Sequence, residues 1–280
     1  MILDSHVHVW DPATRDHGWL RGLGPLDAAF GVDDLVVVAE PEGVGAAILV
    51  QVLADENETR EFLRLAAATP FIAGVVGWVD LTASDVAARI AALREAPGGD
   101  RLVGLRHLVQ SEPDPGWLMR PDVLAGLGAV ADAGLVFDLL VVPAQLPAAL
   151  AALRRVENLA AVLDHAAKPV VSAGAVAPWT SLLAEMAATG RVACKLSGLV
   201  SEAGPGFSAA MLQPFADHLL SSFGPSGVLF GSDWPVSAAV APYASVVALA
   251  RELIDQCSAA EQQAIFAGNA ARTYQVGLSG

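Results

Sequence analysis

The chain has 280 residues, 16 basic and 30 acidic side chains, a net charge of −14 and an apolar share of 54%. That apolar share excludes a disordered chain, and two cysteines exclude a disulfide scaffold. Acidity without any Lys/Arg cluster argues against nucleic acid and anionic membrane as partners.

At the N-terminus Asp4, His6 and His8 arrive too early for a secretory signal, which needs a basic start and an apolar core. The apolar stretch from Leu135 is broken by Asp138, Pro143 and Pro147, short of the ~18 residues of a membrane span. Cys194 and Cys257 have no CxxC partner and read as reduced, packed thiols, so the chain is expected to be cytoplasmic.

Short β-branched or apolar runs alternate with helical patterns along the whole chain. The runs are Ile2–Val9, Ala46–Val52, Phe71–Asp80, Leu102–Val109, Val136–Val141, Ala160–His165, Val192–Ser197 and Val228–Asp233. Between them the spacing predicts helices over Glu58–Ala68, Asp85–Ala96, Pro121–Ala133, Gln145–Val156, Trp179–Ala188, Ala209–Phe223 and Tyr243–Asp255. In the second of these Val86, Ile90 and Leu93 share one face, Ser84 is the expected N-cap, and Pro97-Gly98-Gly99 stops the helix. A last helix is expected over about Ala259–Tyr274. Strand–helix alternation implies parallel pairing through right-handed crossovers. Eight units fit a closed (β/α)8 barrel as one domain over 1–280 better than the alternative, an open doubly wound sheet. The open sheet would want a Gly-rich turn after the first strand, where this chain has His-Val-His-Val-Trp.

A barrel builds its site at the C-terminal ends of its strands, so the strand ends carry the functional argument. The first strand places Asp4, His6 and His8 at i, i+2 and i+4, which predicts one shared face. Two imidazoles so placed can share one metal ion or aim at one substrate oxygen. The other strands end in Gln51, in Trp78 and Asp80, in Arg106-His107, in Asp138, in Asp164-His165, in Lys195 with Ser197, and in Ser232-Asp233-Trp234. Burying so many polar groups unpaired costs a few kcal/mol each, so convergence on a polar pocket is the simpler account. Asp138 and Lys195 also fit a structural ion pair. His218 reads as packing or surface at helical spacing, and His17, in the long loop from Trp10 to about Gly31, has no assignable role. Gly126-Leu-Gly128-Ala-Val-Ala131 fits a dinucleotide fingerprint but lies inside a helical segment with no strand leading into it. Neither a Gly-x-Ser-x-Gly elbow nor a P-loop occurs.

The motifs Asp4-Ser-His-Val-His-Val-Trp-Asp-Pro12, Phe71-Ile-Ala-Gly-Val-Val-Gly-Trp-Val-Asp80, Gly104-Leu-Arg-His107 and Leu163-Asp-His-Ala-Ala-Lys-Pro169 occur in that order. Cys194-Lys-Leu-Ser-Gly-Leu-Val-Ser-Glu202, Phe230-Gly-Ser-Asp-Trp-Pro-Val236 and Phe266-Ala-Gly-Asn-Ala-Ala-Arg272 follow. With them the chain resembles the amidohydrolase superfamily, in its sugar-lactonase branch similar to L-fuconolactonase and L-rhamnono-lactonase. The resemblance implies a hydrolase that opens an aldonolactone to the sugar acid. It places His6, His8, His165 and Asp233 at the catalytic centre, with Asp233 as the general base that activates water. His6 and His8 would polarise the lactone carbonyl. Gln51, Trp78, Arg106, His107, Glu202 and Trp234 would hold the substrate. Binuclear members bridge two metals with a carbamylated strand-four lysine; strand four here offers Arg106-His107, and Lys168 and Lys195 lie elsewhere. The expected cofactor is therefore at most one divalent ion, zinc, on His6, His8 and Asp233. The alternative within the superfamily is a metal-dependent decarboxylase, and a non-catalytic sugar-acid binder is a third reading. The expected partner is a small lactone, with a homodimer as the default assembly.

Overall fold

A computed structural model of the protein describes residues 1–277. Residues 278–280 of the expected domain span lie outside the described residues. Eight parallel strands pair in chain order: β1 Ile2–Val7, β2 Val44–Val50, β3 Ile72–Gly77, β4 Leu102–His107, β5 Val136–Leu139, β6 Ala161–Leu163, β7 Val192–Leu196 and β8 Val228–Phe230. Beyond their ends β8 and β1 join: Asp233 N–H donates to the His6 carbonyl at 2.9 Å and His8 N–H to the Trp234 carbonyl at 2.8 Å. The barrel is thereby closed at the rim where the site lies.

The helices between are α1 Val32–Ala39, α2 Glu56–Ala68, α3 Val86–Arg94, α4 Pro121–Asp132, α5 Leu146–Arg155, α6 Trp179–Ala187, α7 Leu199–Ala203, α8 Ala209–Phe223 and α9 Tyr243–Leu253. Alternation sorts the strand residues: Ile48 and Val50 pack in an inner cluster with Leu3, Val76, Val162 and Tyr274, while Ala47 and Leu49 pack outward under the helices. The predicted terminal helix is three pieces, α10 Ala259–Gln263, a π-helical turn over Ala264–Gly268, and α11 Asn269–Thr273. Asn269 Nδ2 there donates to the carbonyls of Pro225 and Val228, which fixes the turn against the foot of β8. Ala267, Ala270 and Tyr274 from this segment fill the barrel interior. The fingerprint-like glycines at 126 and 128 lie inside α4, as the sequence pattern predicts.

Three expectations change. Helix α2 starts two residues before the predicted Glu58, because Asp55 caps it by accepting Asn57 N–H at 2.8 Å. The cap expected at Ser84 falls on Asp85, whose side chain makes no capping bond. The third change bears on the site: Asp4 does not share a face with His6 and His8. The β1–β2 register shifts between Asp4 and Val7, and such a bulge re-aims the side chains beyond it. Asp4 accepts Tyr243 Oη of α9 at 2.8 Å and Ser232 N–H at 2.9 Å, while the two histidines turn into the barrel mouth.

Candidate active site

Beyond the bulge, His8 Nδ1 lies 2.8 Å from the Val50 carbonyl. A carbonyl only accepts, so Nδ1 carries the hydrogen and, in the neutral ring, Nε2 presents its lone pair. His6 Nε2 is 3.1 Å from His8 Nε2. Burial, followed by the nearby Lys195 charge, holds the His6 pKa well below the usual histidine value, so this ring is neutral.

Strand β6 ends at Leu163, two residues short of the expected His165, because the chain enters the left-handed region. His165, Ala166, Ala167 and Lys168 have φ of 52°, 51°, 58° and 50°. Each non-glycine residue held there costs about 1–2 kcal/mol, and such strain concentrates at functional sites. Trp179 Nε1 pins this turn by donating to the Ala166 carbonyl at 2.8 Å. The result aims His165 at the barrel axis, with Nδ1 2.9 Å from Ser197 Oγ. Burial lowers its pKa to about 4. Asp233, after β8, is also left-handed at φ 59°. Its Oδ1 lies 3.5 Å from His8 Nε2 and 3.8 Å from both His6 Nε2 and His165 Nε2. Burial alone would raise this carboxyl, but His165 and His8 outweigh it and hold it below the usual carboxylate range.

Arg106 reaches the centre from β4. Its Nε and Nη2 both contact Gln51 Oε1, at 3.2 and 2.9 Å, and Nη2 also donates to the Gln51 carbonyl. Nη1 lies 3.1 Å from Asp164 Oδ2 and 3.2 Å from His6 Nε2. Below, Lys195 Nζ sits 2.6 Å from Asp138 Oδ2, 2.9 Å from Asp164 Oδ1 and 2.9 Å from His6 Nδ1. The Asp138–Lys195 pair is therefore real but belongs to a larger buried network, which Tyr274 Oη closes by donating to Asp138 at 2.9 Å.

A cavity of about 320 Å³ opens over this centre. His8, Arg106, His165 and Asp233 line it, and His6 lies fully buried beneath. Of the six residues expected to hold substrate, only Arg106 is on the wall. Gln51 stands behind as the bracket for Arg106. Successive strand residues point oppositely, so Arg106 facing inward sends His107 outward. There its ring stacks on Trp117 at 4.2 Å, with Nδ1 accepting from Trp78 Nε1 at 3.1 Å and Nε2 2.8 Å from Glu112. Trp234 is buried against Phe30, and Glu202 reaches the mouth only through an ion pair of 3.4 Å with Lys168. In their place the wall carries Trp10, Trp19, Gln110, Ser111 and Lys168. Trp10 and Trp19 come from the long β1–α1 loop, whose base is closed by paired backbone bonds between Trp10 and Phe30. Gln110 and Ser111 come from the loop after β4. The positional signal for them is membership of a loop that follows a barrel strand. His17 lines a separate cavity with Asp11, Arg15 and Glu58, and His218 packs on Trp179 with Nε2 2.9 Å from the Thr180 carbonyl.

The donors also fit a metal in type. His6, His165 and Asp233 form one group whose donor atoms come together, and His8 stands within 3.5 Å of the same carboxylate. Separations of 3.1, 3.5 and 3.8 Å among His6, His8 and Asp233 bracket the edge, about 3.3 Å, of a tetrahedron with zinc–ligand bonds of about 2.0 Å. The fit carries one condition: His6 Nε2 must offer a lone pair. A second group, His6, Asp138 and Asp164, already surrounds the Lys195 ammonium.

Fold and site together define a (β/α)8 barrel enzyme with an imidazole–carboxylate centre at the C-terminal ends of its strands. The chain belongs to the amidohydrolase family, whose sequence model matches residues 3–276. It is 37% identical over 279 residues to an L-fucono-1,5-lactonase of Burkholderia ambifaria, covering 98% of this chain and 95% of that one. It is 38% identical to an L-fucono-1,5-lactonase of Burkholderia multivorans, covering 97% and 95%. A crystal structure of a Burkholderia multivorans amidohydrolase with bound zinc superposes with a TM-score of 0.90 at 36% identity, covering 99% of this chain and 100% of that one. Among the described residues no helix is long and apolar enough to cross a membrane.

Proposed function

We propose that the protein hydrolyses a sugar 1,5-lactone of the L-fuconolactone type to its open hydroxy acid. The observation that carries this reading is the ionised Asp233 carboxylate, ringed by imidazoles on the wall of a small polar cavity, in a chain similar to two lactonases. A pocket of about 320 Å³ suits one monosaccharide-sized ring.

The chemistry follows from the atoms present. Water bound beside Asp233 adds its oxygen to the lactone carbonyl carbon while Asp233 takes the proton. The developing oxyanion meets N–H donors at Arg106 and at His165 Nε2, whose hydrogen is placed there when Ser197 donates to Nδ1. On collapse the ring C–O bond breaks, and Asp233 returns the proton to the leaving oxygen. The new carboxylic acid ionises, so each turnover releases one proton. No protein nucleophile is needed. A divalent ion, zinc by the donor set, would supply a Lewis acid for the carbonyl when bound by His6, His8 and Asp233. The loop wall of Trp10 and Trp19 offers aromatic faces to the C–H side of a sugar ring, and Gln110, Ser111 and Lys168 offer donors to its hydroxyls. Unpaired Cys194 and Cys257 support a cytoplasmic setting.

The test is Asp233→Asn. The near-isosteric amide cannot take the proton, so turnover should fall at least a thousandfold with the folded far-UV spectrum retained. Residual activity within tenfold of the parent would sink the assignment of the base.

A further inference from the structure

The buried Lys195 ammonium lies under the candidate centre, outside the cavity, and the chemistry above makes no use of it. Its side chain is fully buried and comes within 2.9 Å of three groups: Asp138 Oδ2, Asp164 Oδ1 and His6 Nδ1. An ammonium has three hydrogens and no lone pair, so every partner must accept. His6 Nδ1 then has to present its lone pair, and the single hydrogen of the neutral ring sits on Nε2. That hydrogen points at His8 Nε2, 3.1 Å away, which in the neutral ring presents its lone pair because Nδ1 donates to the Val50 carbonyl.

We infer that Lys195 is a positioning residue that fixes the Nε2–H tautomer of His6, giving a directed chain from Lys195 through His6 and His8 to Val50 that orders the centre without a metal. The opposite tautomer fails twice. It sets His6 Nδ1–H against an ammonium hydrogen at 2.9 Å, and it opposes two nitrogen lone pairs at 3.1 Å. The acceptor it would need, Asp164 Oδ1, stands 3.3 Å from Nδ1 and is left without an aligned hydrogen bond. Arg106 Nη1, the other neighbour of His6 Nε2, has Asp164 Oδ2 at 3.1 Å as an alternative acceptor.

The tautomer has a consequence for metal. An ion can bind His6 only at an Nε2 lone pair, which requires the hydrogen to move to Nδ1, where Lys195 opposes it. Lys195 thus makes a bound ion unnecessary for ordering the two rings and weakens its binding. The inference concerns the resting protein and stands apart from the lactone reading, so failure of one leaves the other intact.

The direct experiment is two-bond 15N–1H correlation of the chelator-treated full chain labelled at histidine, with His6 assigned by difference against His6→Asn. The expected spectrum shows Nδ1 unprotonated and Nε2 protonated; a protonated Nδ1 overturns the inference without any variant at Lys195. In Lys195→Met, which has no donor, the hydrogen should move to Nδ1, zinc affinity measured by chelator competition should rise at least tenfold, and a purely structural lysine would leave the tautomer as it was. An unchanged tautomer in a folded Lys195→Met protein overturns the assignment to Lys195. If that variant does not fold, the parent spectrum decides.

Discussion

Replacing Gly198 by alanine tests how the strained β6 turn is supported. Gly198 has φ +68°, and a Cβ there would lie 2.7 Å from Cβ, Cγ and Nδ1 of His165. Carbon atoms rest at about 3.5–4.0 Å, so the ring must retreat by roughly 0.8 Å or more. The retreat stretches the 2.9 Å contact to Ser197 Oγ beyond hydrogen-bonding range. Left-handed backbone adds about 1–2 kcal/mol and overpacking about 1–3 kcal/mol, giving an expected loss of about 2–5 kcal/mol in urea denaturation. A shift near 1 Å in a group that meets the reacting carbonyl costs on the order of a hundredfold in rate. Gly198→Ala should therefore lower kcat for a sugar lactone by about ten- to a hundredfold while the protein still folds. Stability and kcat both within the error of the parent would refute the packing of His165 on Gly198.

Two pH-linked outcomes follow from buried groups. Glu58 accepts the backbone N–H groups of Val52 and Leu53, and burial raises its pKa to about 7 from 4.5. A raised carboxyl contributes stability that is present below pH 4.5 and lost as pH climbs through 7, about 3 kcal/mol in all. Glu58→Gln keeps the acceptor without the charge, so denaturation should find it about equal to the parent at pH 4 and more stable at pH 8.5. His165 has the opposite sign: its pKa falls to about 4, so the unfolded chain binds the extra proton between pH 6.5 and 4. Its contribution of about 3 kcal/mol is present above pH 6.5 and disappears on acidification, and His165→Asn, a residue that tolerates left-handed backbone, should flatten that slope. Parallel stability curves for parent and variant would contradict either statement.

The sequence carried the barrel because hydrophobic period and strand–helix order are local properties, and all eight strands lie where the apolar runs lie. The convergence of His6, His8, His165 and Asp233 was legible for a related reason: each lies at or just beyond the C-terminal end of a strand, and barrel closure brings those ends together. What was not legible depended on backbone irregularities. A bulge separates Asp4 from the histidines it precedes by period two. A left-handed run at His165–Lys168 ends β6 early, although none of its residues is glycine. His107 was misplaced because two adjacent polar residues on one strand cannot both face the pocket. Trp19, Gln110, Ser111 and Lys168 escaped because loop geometry, not composition, sets the cavity wall.

Everything above converges on one reaction, the opening of a sugar 1,5-lactone by water at this centre. Adding L-fucono-1,5-lactone to the protein in weak buffer, with and without chelator, and following proton release with a pH indicator against a control without protein measures it directly. One proton should appear per lactone, at a rate far above spontaneous hydrolysis. Acidification no faster than the control, across a panel of pentono- and hexono-lactones, would contradict it.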